Sequence, residues 1–144
     1  MFVFLDIDGV LNKRSQWRIH SYPLDSGCIE NFCNFANHIS GKIILTSSWR
    51  KGFVCSHSNS NSRQIQELEK EFDKYGLRIS GKVLDDISDR GEAINQFLNN
   101  HPDRYIIIDD DKSEFGKPLR HLHLINPEVG FSQEDFECLR NSKK

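Results

Sequence analysis

The sequence predicts an open α/β fold in which a parallel sheet lies between helices, in a three-layer αβα arrangement. Three observations carry that expectation. Apolar runs of strand length recur at Phe2–Leu5, Lys42–Thr46 and Arg104–Ile108, rich in β-branched and aromatic residues and without in-out alternation, so each reads as a strand buried on both faces. Stretches with apolar residues at helical spacing separate them. Each run also ends abruptly in polar groups: Asp6-Ile-Asp8-Gly9 after the first, Thr46-Ser47-Ser48 after the second and Asp109-Asp110-Asp111 after the third. Ligands of open parallel sheets bind at the carboxyl ends of the strands, so these groups are expected to face one crevice.

The chain order supports each element. After Asn12, residues 13–25 are polar and carry Lys13, Arg14, Trp17, Arg18 and His20, which reads as a loop insertion over the carboxyl end of the sheet. Asp25 is placed to cap a helix with Cys28, Ile29, Phe32, Cys33, Ala36 and Ile39 on one face, and Gly41 follows its end. The second strand leads into Trp49-Arg50 and then a Ser- and Asn-rich loop insertion near 50–62, where mobility is expected. A second helix runs from Ser62 to Tyr75 with Ile65, Leu68, Phe72 and Tyr75 on one face, ended by Gly76. Leu77–Ile79 reads as a short strand and 80–88 as irregular. Asp89-Arg90-Gly91-Glu92 opens a helix that buries Ile94, Phe97 and Leu98. His121–Ile125 is a last strand, and Ser132 caps a closing helix with Phe136 and Leu139 inward.

Composition bounds the class. A chain of 144 residues fits one domain, 1–144, with a core supplied by 10 Phe and frequent Ile and Leu. Nineteen basic against 21 acidic residues give a formal net charge of −2, which excludes a global electrostatic footprint for nucleic acid or an anionic membrane but not a local basic patch. Cys28, Cys33, Cys55 and Cys138 form no Cys-x-x-Cys pair, and the first apolar run meets Asp6 without a basic leader. A cytoplasmic protein with reduced thiols is expected. No apolar run approaches the roughly 20 residues that span a bilayer.

The chemistry follows from the strand ends. Two carboxylates as close as Asp6 and Asp8 repel, and a divalent cation is the usual means of keeping both ionised; hard oxygen ligands suit Mg²⁺. Asp-x-Asp-Gly alone is equally a polar turn. With the later acids it becomes more specific: acids from two strands can share Mg²⁺, hydroxyls and backbone N–H groups after the second strand can grip phosphate oxygens, and Arg90 at a helix start can meet charge on a phosphoryl group.

In this order the motifs resemble those of the haloacid dehalogenase superfamily of phosphohydrolases. The first motif stands as Asp6-Ile-Asp8-Gly9, the second as Ile43-Ile-Leu-Thr46-Ser47, the third as Arg90 and the fourth as Ile106-Ile-Ile-Asp109-Asp110. The likeness spans residues 1 to about 140, and Ser48-Trp49-Arg50 after the second motif resembles a small capless branch found with nucleic-acid repair proteins. The resemblance implies a Rossmann-like sheet with no cap or a minimal one, and a Mg²⁺-dependent phosphatase in which Asp6 is the nucleophile and Asp8 the general acid and base. It implies metal ligation by Asp6, the Asp8 carbonyl and Asp109, with Asp110 as the neighbouring alternative. Thr46 and Ser47 compete for the phosphate-binding hydroxyl, with Thr46 preferred because it directly follows the apolar run. Arg90 leads Lys82 and Lys117 for the third motif.

Other residues carry weaker signals. His121 and His123 share a strand face but lack further zinc ligands, and Cys55 and His57 lack a second pair. Trp17 and Trp49 each neighbour Arg residues and can stack a base at the mouth of the site, although core packing fits Trp49 better. An open site suits a large phosphorylated substrate such as a nucleic-acid end, drawn in by Lys13, Arg14, Arg18, Arg50 and Lys51, or a partner protein that completes the pocket. A non-enzymatic phosphoacceptor is the competing class. Receiver domains place the phosphorylated Asp at the end of a middle strand, a place expected here to hold Thr46 and Ser47. A degenerate binding module would not retain Asp6, Asp8, Thr46, Arg90 and Asp109 together.

Overall fold

The computed structural model describes residues 1–18, 21, 23–54, 61–112 and 121–141. Among them, five strands form one parallel sheet in the order β3-β2-β1-β4-β5, with β1 Phe2–Leu5, β2 Lys42–Leu45, β3 Ile79–Lys82, β4 Tyr105–Asp109 and β5 Leu122–Leu124. The helices between them are α1 Ser26–Ile39, α2 Arg63–Asp73, α3 Arg90–Asn100 and α4 Gln133–Asn141. Two short 3₁₀ turns, Arg14–Gln16 and Ser48–Gly52, lie in the loops after β1 and β2.

Side-chain alternation along the three central strands builds two cores. Val3, Leu5, Ile43, Leu45 and Ile108 point to the side of α1, α2 and α4, where the rings of Phe32, Phe72 and Phe131 meet at centroid distances of 5.6 to 6.0 Å. Phe4, Ile44 and Ile107 point the other way, onto Ala93, Ile94 and Phe97 of α3, with Phe4 and Phe97 edge to face at 5.6 Å. Both faces are dry, which is why these strands read as continuous apolar runs. The thiols of Cys28 and Cys33 belong to the α1 packing, and burial pushes both up to about 12.

The register sets the level of the strand ends. Leu5 pairs with Leu45 on one side and with Ile108 on the other, so the next residues, Asp6, Thr46 and Asp109, emerge side by side. The ladder continues one step further through Asp6 N–H to the Ile108 carbonyl at 3.0 Å and Thr46 N–H to the Leu5 carbonyl at 3.1 Å.

Several sequence expectations are corrected here. The middle strand is β1, not β2, so Asp6 itself holds the place where Thr46 and Ser47 were expected. The edge strand covers Ile79–Lys82, two residues beyond the expected Leu77 start, because pairing with β2 rather than an apolar pattern defines it. Gly41 follows the end of α1 as expected, and Ser40 before it takes the left-handed position, at φ 52°. Gly41 is instead needed for space, since a Cβ there would crowd Val3 and Ile39. His121 precedes β5 with φ 66° and packs on Tyr105, while His123 bonds Asp135 at 2.8 Å and ties β5 to α4. The stretch 55–60, with Cys55 and His57, and Lys117 lie outside the described residues. No described helix is long and apolar enough to cross a membrane.

The α4 start yields a pH prediction. The Asp135 carboxylate accepts from Ser132 N–H and Oγ, each at 2.8 Å, and from His123. Burial alone would raise its pKa, but these hydrogen bonds win and hold it below the usual carboxylate value. A depressed carboxylate contributes stability above its unfolded pKa that is lost as pH falls through the folded value. Asp135→Asn is therefore expected to cost about 1 kcal/mol at neutral pH, and urea unfolding of the two proteins should converge as pH falls through the depressed folded-state pKa of Asp135.

Candidate active site

The turn after β1 closes on the Ile7 carbonyl and on the side-chain amide of Asn12. Val10 and Leu11 N–H both bond the Ile7 carbonyl, and Gly9 turns the chain at φ 84°. A side chain at Gly9 would also meet the Asp110 carboxylate, so the position needs glycine for conformation and for space. Gly9 N–H donates to Asn12 Oδ1 at 2.8 Å, and Asn12 Nδ2 donates to Asp8 Oδ1 at 3.0 Å. The indole N–H of Trp17 reaches the same Asn12 oxygen at 2.8 Å, and that of Trp49 reaches Asp8 Oδ2 at 3.1 Å. Asn12 was not singled out from the sequence. Its signal is a fully buried amide just past a glycine turn, which only burial exposes.

After β2, Ser47 caps the short turn by accepting from Trp49 N–H at 3.0 Å. Thr46 is fully buried, and its hydroxyl has no hydrogen-bond partner among the described residues. Arg90 is the first residue of α3, whose N-cap Asp89 accepts from Glu92 N–H at 2.8 Å. Its Nη1 lies 2.7 Å from Asp109 Oδ2 and 3.1 Å from Asp6 Oδ1. The cleft above these groups holds about 190 Å³ and is lined by Asp6, Asp8, Trp17, Ser47, Arg90 and Asp110, with Ser48 and Asp111 at its side. A larger cavity of about 820 Å³ opens at the amino ends of the strands, by Met1 and Arg104, away from every one of these groups.

Charge is concentrated here. Burial pushes Asp6 well above the usual carboxylate range, the neighbouring Asp109 adds to that, and Arg90 pulls it back only in part. Burial likewise raises Asp109 to about 6 against the pull of Arg90. Asp8 is raised by burial and lowered by the donors Asn12 and Trp49. One oxygen from each of Asp6, Asp109 and Asp110 comes within 4.8 Å of the others. This donor set, all hard oxygen and short of positive charge, fits a divalent cation of the Mg²⁺ type. The Asp8 side chain stands outside that group, held by Asn12 and Trp49.

The tertiary structure thus brings together Asp6, Asp8, Ser47, Arg90, Asp109 and Asp110, and sets Thr46 beneath the cleft rather than along it. Lys82 lies elsewhere, bonded to the Arg50 carbonyl at 3.0 Å and to Asp85 at 2.8 Å. Among the basic residues expected at the rim, Arg14 pairs with Glu128 at 3.0 Å and Lys13 with Asp25 at 3.8 Å. Arg50 is a correction. It is only 6% exposed, and its guanidinium donates to the carbonyls of Thr46 at 2.7 Å and Ile87 at 3.0 Å, with Ser47 and Leu84 carbonyls slightly further. Carbonyls left bare where β2 ends need a buried fork of donors, so Arg50 joins this loop to 84–87 instead of facing solvent.

Lysine cannot reproduce that fork. Arg50→Lys is expected to lower the unfolding free energy by about 1–3 kcal/mol, read by urea denaturation, because buried carbonyls lose their donors. A solvent-facing substrate contact would leave stability unchanged.

A family model described as the HAD domain in Swiss Army Knife RNA repair proteins matches residues 2–136, a span that includes all five strands and every residue lining the cleft. No curated protein and no solved structure gives a significant match. The parallel sheet, the acids ending β1 and β4 and the length of the match agree: the chain belongs to the haloacid dehalogenase (HAD) domains of the kind found in Swiss Army Knife RNA repair proteins.

Proposed function

We propose that the protein is a Mg²⁺-dependent phosphomonoesterase that removes phosphate from a nucleic-acid end through an aspartyl-phosphate on Asp6. The observation that carries this reading is the convergence of Asp6, Asp8 and Arg90 on one small cleft. Its roughly 190 Å³ suits a phosphoryl group whose substituent stays outside, as a polymer end requires. Membership of a domain family found in RNA repair proteins supports the polynucleotide.

The residues divide the work in two steps. An Asp6 oxygen attacks phosphorus as the bond from phosphorus to the leaving oxygen breaks, and Asp8 gives that oxygen its proton. Asp8 then takes a proton from water as the water oxygen attacks the phosphorus of the aspartyl-phosphate, releasing inorganic phosphate and restoring Asp6. Burial favours the protonated form of Asp8 that the first step needs. Arg90 meets phosphate oxygens, and Ser47, which lines the cleft where Thr46 does not, offers a hydroxyl. Asp6, Asp109 and Asp110, with the Asp8 carbonyl, would hold Mg²⁺, whose chemistry there is to neutralise phosphate charge and keep Asp6 ionised. Arg14 lies 6.0 Å from the centre of the Trp17 ring, and Lys13, Arg14 and Arg18 would track the polymer backbone.

Asp6→Asn is expected to abolish hydrolysis of an aryl phosphate, because an amide is a poor nucleophile; unchanged turnover would refute the assignment. Mg²⁺ should raise the unfolding temperature of the wild type but not of Asp109→Asn, a readout independent of activity.

Salt tests the substrate. kcat/KM on a phosphorylated RNA oligonucleotide should fall steeply with salt, and the slope should flatten by about 0.7 for each phosphate contact removed in Arg14→Ala and Arg18→Ala. Turnover of the aryl phosphate should be spared. Equal salt slopes for oligonucleotide and mononucleotide would move the substrate to metabolites or phosphoproteins.

A further inference from the structure

Asp8 is gripped at both oxygens by groups that the two-step chemistry does not use. Asn12 Nδ2 donates to Oδ1 at 3.0 Å and Trp49 Nε1 to Oδ2 at 3.1 Å. The terminal torsion of an aspartate is broad, so a single contact would leave its plane free to swing, whereas contacts at both oxygens fix it. The amide of Asn12 is itself fixed. Its Oδ1 accepts from Gly9 N–H and from Trp17 Nε1, both at 2.8 Å, so a flipped amide would set its NH₂ group against two donors.

We infer that Asn12, Trp17 and Trp49 form a clamp that positions the Asp8 carboxyl group for proton transfer to the leaving oxygen, an assignment that rests on the phosphatase reading above. The two indoles come from different loops, after β1 and after β2, and converge on the same carboxyl group and the amide that orients it. Tryptophan suits the task because its N–H only donates; it neither accepts a proton nor surrenders its own, so it orients Asp8 without competing for the transferred proton. Trp49 is 7% exposed and packed into the core, and Trp17 is half-buried along the cleft with the Arg14 guanidinium 6.0 Å from the centre of its ring. Trp17 acts at one remove, through Asn12. These are positioning residues: on this geometry none of them is required to touch phosphorus.

The test is leaving-group dependence. kcat/KM reports steps up to departure of the leaving group, and a good leaving group needs little protonation while an alkoxide needs much. Trp49→Phe and Trp17→Phe keep an aromatic ring and delete the donor. Each is expected to lower kcat/KM on an alkyl phosphate by about tenfold or more, and on nitrophenyl phosphate by less than about threefold, with KM changed little. A merely structural role would lower both substrates by the same factor, and that result, or no loss on either, would overturn the clamp. If Trp49→Phe does not fold, Trp17→Phe at its partly exposed position decides the matter. A wild type that hydrolyses neither substrate would overturn the phosphatase reading, and the clamp with it; an active wild type with equal losses in the variants would overturn the clamp alone.

Discussion

Carboxylates crowded at the ends of two neighbouring strands are the constraint to which the rest of this structure answers. Asp6 and Asp109 are nearly or fully buried and share one guanidinium, that of Arg90. Unit charges about 4 Å apart interact by roughly 4 kcal/mol at an effective dielectric constant near 20, so a single Arg cannot balance Asp6, Asp109 and Asp110 together. Burial first, and the neighbouring acids in addition, raise the proton affinity of Asp6 and Asp109 in spite of Arg90. Apolar residues would pack here at less cost; the retained acids form a donor set whose excess negative charge a divalent cation would offset.

That concentration of charge depends on a flush register, and the register depends on packing. A slip by one residue between β1 and β4 would turn Val3 and Leu5 from the α1 side to the α3 side and separate Asp6 from Asp109. The two aromatic-rich cores therefore hold the site in alignment as well as stabilising the domain. The helix start that delivers Arg90 is secured in the same manner: the Asp89 cap fixes the first turn of α3, and Ala93 and Ile94 anchor it beneath β1 and β4.

The loops after β1 and β2 resolve their own polar groups by pointing inward. Arg50 fills carbonyls that the end of β2 leaves open, and Asn12 satisfies the glycine turn while reaching Asp8. Side chains with the composition of a basic, aromatic rim thus split into two groups. Arg50 and Trp49 face the interior, while Arg14 and Arg18 remain at the surface.

The three central strands, the helices between them and the residue types at the strand ends are legible in the sequence, because burial on both faces leaves an unbroken apolar run and helix caps are local chemistry. The acids of β1 and β4, the hydroxyls after β2 and Arg90 were all legible in that way. Pairing is not local, and so tertiary structure alone decided that β1 is the middle strand, that the edge strand begins at Ile79, and that Asp6 and Asp109 stand level. It also decided the hydrogen-bond partners of Asn12, Trp17, Trp49 and Arg50. A one-dimensional pattern reports that an amide, an indole or a guanidinium is present, but which buried acceptor it meets is fixed by loops separated in sequence that close over the same strand ends.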